Sequence, residues 1–139
     1  PGSGASIVVA RIDGNALDAS WAGDAALFVF EKKADIPSAT STFDCGQPGS
    51  EVPLCGGPKV RPGSLSKALA DGETLLLCTD GAWRQVNRHC IGRLVLGSGS
   101  LREAAARLVL GQQLEDDATA IVARVHMNKR APQARRRDG

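Results

Sequence analysis

At 139 residues, 42% of them hydrophobic and 23% charged, the chain holds enough apolar surface for one packed core and too little length for two ordinary domains. No run approaches the roughly 18 consecutive apolar residues of a membrane span, and no signal-peptide pattern is present, so no membrane partner and a cytoplasmic setting are expected. The formal net charge of +2 conceals an uneven distribution: residues 127–139 carry Lys129, Arg130, Arg135, Arg136 and Arg137 against Asp138 alone, leaving a mildly acidic body. That tail reads as a solvated, disordered terminus, and nucleic acid is not the expected partner.

Ala5 to Ile12 is a nearly continuous β-branched run, which predicts a strand covered on both faces. Asp13-Gly14-Asn15 is a hairpin signal, and its Asp-Gly is turn chemistry rather than a candidate ligand. The return strand, Leu17-Asp18-Ala19-Ser20-Trp21, alternates apolar and polar, so one face is buried. Gly23-Asp24 breaks it, and Ala26-Leu27-Phe28-Val29-Phe30 resumes as a third strand. From 32 to 69 no sustained period survives, and five of the seven prolines fall there, which predicts a long surface excursion with at most one short strand. Leu65 to Ala70 reads as a helical turn before Asp71-Gly72 turns the chain into the strand from Thr74 to Thr79. Ser100-Leu101-Arg102-Glu103 is a capping box opening a helix with Leu101, Ala104, Ala105, Leu108 and Val109 on one stripe and Glu103 and Arg107 paired on the other face. Gly111 is its natural stop, and a last strand runs from Ala118 to Val125. Strands dominate and crossovers are few, so the expected class is α+β with a largely antiparallel sheet.

None of Cys45, Cys55, Cys78 and Cys90 forms a Cys-x-x-Cys pair, so a structural zinc site is not expected; free thiols are. Cys78 lies inside an apolar strand and reads as a small core hydrophobe. Trp21 and Trp83 read as core anchors, His89 and His126 as surface or packing residues.

The candidate chemistry lies in carboxylates at strand ends. Asp80 closes the apolar run Thr74-Leu75-Leu76-Leu77-Cys78-Thr79 and is followed by Gly81, while Glu115-Asp116-Asp117-Ala118-Thr119 leads into the last strand. Two such devices suggest a divalent-metal centre, because hard cations take carboxylate oxygens.

Three ordered segments carry a resemblance. Ala19-Ser20-Trp21-Ala22-Gly23-Asp24 to Phe28, Gly72-Glu73 to Trp83, and Glu115-Asp116-Asp117-Ala118-Thr119 to Val122 are similar to motifs of the metal-dependent protein serine/threonine phosphatases, the type-2C or PPM family. The resemblance covers roughly residues 5–126, with 127–139 as a basic tail outside it. It implies part of an α-β-β-α sandwich of mainly antiparallel sheets and a binuclear Mn²⁺ or Mg²⁺ centre. There a hydroxide from a bridging water attacks the phosphorus of a phosphoserine or phosphothreonine in a phosphoprotein substrate. Carried over by motif, Asp80 and Asp116 would be metal ligands and Gly81 would supply a tight turn. Asp117 stands where the family usually has Asn, as in its SpoIIE-like and RsbU-like branch. Asp24 would help hold an additional, weaker metal, although the following Ser and Arg of the motif are Ala25 and Ala26 here.

The sequence contains no counterpart of the family's Asp-Gly-x-Gly-Gly segment, whose Asp bridges both metals. Nor are its first strands and long helices expected here. With Pro1 in place of an initiator Met, the expectation is a C-terminal portion of a longer bacterial signalling phosphatase, weak or inactive as a bare chain. The alternatives are an inactive PPM-like regulatory or interaction module, and a small β-rich domain whose basic tail meets an acidic partner.

Overall fold

The computed structural model describes residues 6–32, 62–84, 86, 88–110 and 117–128. In chain order the elements are β1 (Ile7–Asp13), β2 (Ala16–Ala22), β3 (Ala26–Phe30), β4 (Gly63–Ala68), β5 (Thr74–Cys78), α1 (Asp80–Trp83), α2 (Arg88–Leu96), α3 (Leu101–Leu110) and β6 (Ala120–Arg124). Among the described residues the strands form two antiparallel sheets, β1-β2-β4 and β3-β5-β6, and the class is α+β as expected.

The first hairpin forms where Asp13-Gly14-Asn15 places it, with Asp13 opposite Ala16 and Gly14 at a φ of 59°, a conformation that costs a residue without Cβ little. Alternation along β2 sends Leu17 and Ala19 inward and leaves Asp18 and Ser20 exposed.

The two sheets pack through Leu17 and Ala19 of β2, Leu27 and Val29 of β3, and Leu75 of β5, with Leu69. The opposite face of the second sheet carries Ala26, Phe28, Phe30, Leu76 and Cys78, covered by Trp83, Ile91, Val95, Ala82 and Leu108 from the helices. Strand β5 is thus buried on both faces, which is why it reads as an uninterrupted apolar run. Phe28 lies under Trp83 edge-on, with ring centroids 6.5 Å apart, so Trp83 is a core anchor as predicted. Cys78 is a buried thiol and Cys90 an exposed one; Cys45 and Cys55 lie outside the described residues.

Two expectations need correction, and one element is additional. Strand β1 is not covered on both faces: Ile7, Val9 and Ile12 are 51%, 55% and 49% exposed. Among the described residues it is paired to β2 alone, and of its side chains Val8 and Ala10 reach the inner cluster. A β-branched run reports strand preference, and coverage depends on what packs against each face. Residues Leu65 to Ala70 make no helical turn. Gly63–Ala68 is β4, antiparallel to β2 from Ala16↔Ala68 to Trp21↔Gly63, with Leu65 and Lys67 half-buried and Ser64 and Ser66 exposed. The period-2 alternation was short, and β2 supplied the partner that selects it. Finally, α2 was not anticipated; it follows α1 and contributes Ile91 and Val95 to the core.

The predicted start of α3 is realised with one change. Ser100 Oγ accepts the Glu103 amide at 3.0 Å, but the Glu103 carboxylate accepts from Gly99 N–H at 2.9 Å, one residue before the capping-box position. Ala104 and Leu108 are buried, and Arg107 pairs with Glu103 at 3.6 Å. Gly111 lies outside the described residues.

Glu73, buried just before β5, ties the two sheets together. One oxygen meets Lys67 Nζ of β4 at 2.6 Å and the other accepts the Ala70 amide at 2.8 Å. Its own carbonyl accepts from Val125 N–H at 2.8 Å, and Gly72 N–H donates to Val125 O at 2.9 Å, so the ladder of β5 and β6 extends past their ends. Replacing Glu73 by Ala removes both carboxylate contacts, and we expect a loss of about 2–4 kcal/mol in urea unfolding. Glu73→Gln can still accept from Ala70 and should lose about half as much. Equal stability of Glu73→Ala and the unmodified chain would show that this tie is dispensable.

Candidate metal-binding rim

The site begins with the geometry of β5. Cys78 pairs with Ala120, and one residue on, Thr79 N–H donates to Thr119 O at 3.1 Å. Thr79 is extended, with φ −78° and ψ 163°, and the chain then turns into α1. Asp80 is therefore the first helical residue at the rim of the second sheet. Gly81 does not supply the expected tight turn; it sits buried within α1, and the change of direction is the start of the helix itself.

The Thr79 hydroxyl also fastens the neighbouring segment. It accepts from Thr119 N–H at 2.9 Å and donates to Asp117 O at 3.4 Å. The backbone of Asp117 is thereby held beside the chain position that precedes Asp80. Asp116 lies outside the described residues.

Asp24 reaches the same rim from the bend between β2 and β3. Gly23, with φ 87°, adopts the left-handed conformation that allows the bend. Trp83 Nε1 donates to Asp24 O at 3.1 Å, fixing this bend against α1. The side chains of Asp24 and Asp80 then meet on a single guanidinium. Arg84 Nη2 lies 3.4 Å from Asp24 Oδ2, and Arg84 Nη1 lies 3.2 Å from Asp80 Oδ2. The Asp80 side chain is 18% exposed, that of Asp24 33% and that of Arg84 59%, so these pairs contribute about 1 kcal/mol each at most.

Asp24 and Asp80 both reach the Arg84 guanidinium. Arg84, Thr79 and the indole N–H of Trp83 are not among the residues expected from the sequence. The signal for Arg84 was its spacing of four from Asp80, which one helical turn converts into contact.

Carboxylate oxygens suit hard divalent cations. Among the described residues, however, no three His, Cys, Asp or Glu side chains group to hold a metal ion, and a guanidinium lies between the two carboxylates of the rim.

No family model and no curated protein sequence matches the chain. Solved structures do match its fold. PppA, a key regulatory component of T6SS in Pseudomonas aeruginosa, is 18% identical, with a TM-score of 0.69 over 87% of this chain and 57% of its own. The catalytic domain of serine threonine protein phosphatase PstP, in complex with 2 manganese ions, is 20% identical, with a TM-score of 0.66 over 84% and 56%. The chain has the PPM-phosphatase fold. The phosphatase domain of SpoIIE from Bacillus subtilis agrees, at 19% identity and a TM-score of 0.60 over 89% and 57%. The chain spans just over half the length of each of these PPM-fold structures.

The clasp at Thr79 is testable apart from catalysis. Thr79→Val removes an acceptor for Thr119 N–H and a donor to Asp117 O, at a cost of about 1 kcal/mol. We expect the Thr119 amide to exchange with solvent roughly fivefold faster in the variant. Unchanged exchange would mean that the backbone ladder alone holds 117–119 beside Asp80.

Proposed function

We propose that this chain is a phosphatase module hydrolysing phosphoserine or phosphothreonine in a phosphoprotein, with Asp80 and Asp116 as principal ligands for Mn²⁺ or Mg²⁺ and Asp24 as a weaker one. The observation that carries this reading is the meeting of Asp24 and Asp80 at one rim of a PPM fold, from segments distant in the chain. Gly81 and Asp117 support the rim by position, the former within α1 and the latter through the Thr79 clasp.

A divalent cation bound there would offset the phosphate charge and acidify a coordinated water. The chain's own residues then have defined tasks. Asp80 is set by the start of α1, so its carboxylate is presented without rearrangement of β5. Trp83 holds Asp24 in reach by binding its carbonyl. The sequence carries no Asp-Gly-x-Gly-Gly segment, so turnover by the chain alone should be slow. No helix among the described residues is long and apolar enough to cross a membrane, and we place the activity in the cytoplasm.

A second reading, a PPM-fold interaction module without catalysis, is favoured by one feature: Arg84 already neutralises part of the rim. The two readings separate on Mn²⁺-dependent hydrolysis of a phosphothreonine peptide. We expect slow hydrolysis that chelation and Asp80→Asn both abolish. Hydrolysis indifferent to both would overturn the assignment of Asp80, and no metal-dependent turnover would favour the interaction module.

A further inference from the structure

We draw no further inference here: the strongest candidate, the exposed apolar patch of Ile7, Val9 and Ile12 along β1, an edge strand of the first sheet among the described residues, carries nothing, because nothing in the structure shows what covers it.

Discussion

Burial of β5 on both faces is the constraint on which the rest of the structure depends. Leu75 and Leu77 face the first sheet while Leu76 and Cys78 face the helices, so the strand lies at the centre of both hydrophobic clusters. A strand apolar on both sides has a weakness, since sliding it by one residue exchanges one apolar face for another. Register must then come from its neighbours and its ends. Five residue pairs to β3 on one side and five to β6 on the other supply the first part. Glu73 with Val125 at the start, and Thr79 with Thr119 and Asp117 at the finish, supply the second.

The position of Asp80 follows from that register. It is the second residue beyond a strand that cannot shift without breaking bonds at both ends, and α1 begins on it. The opposite side of the rim is built differently. Asp24 sits on a short bend whose backbone is held by the indole of Trp83, itself anchored over Phe28. Core packing therefore reaches the rim by two routes, one through strand register and one through an aromatic anchor. Arg84 joins the routes electrostatically, with modest energy because the groups remain partly exposed.

The first sheet shows the contrast between preference and coverage. β1 and β5 are both largely apolar, but β5 is enclosed while β1 keeps Ile7, Val9 and Ile12 about half exposed. Alternation along β1 is set by its pairing with β2, which turns Val8 and Ala10 inward whatever stands outside. β4 makes the same point from the other side. Its serines, leucine and lysine carry too weak a pattern to declare a strand, and the open edge of β2 decides the matter by offering hydrogen bonds.

The sequence by itself determined the α+β class, the first hairpin, β3, β5, and the stripe and Ser100 cap of α3. Each rests on local chemistry: a Gly that tolerates positive φ, a period of two or of 3.6, or a hydroxyl placed to receive an amide. Only the tertiary structure decided which strand faces are covered, that residues 63–68 are a strand, that α2 completes the helical layer, and that Gly81 is helical. It alone decided that Arg84 stands between the two carboxylates. These outcomes depend on partners distant in the chain: β2 for β4, the second sheet for β2, and the Asp24 bend for Arg84. A single sequence names such residues without saying which of them will meet.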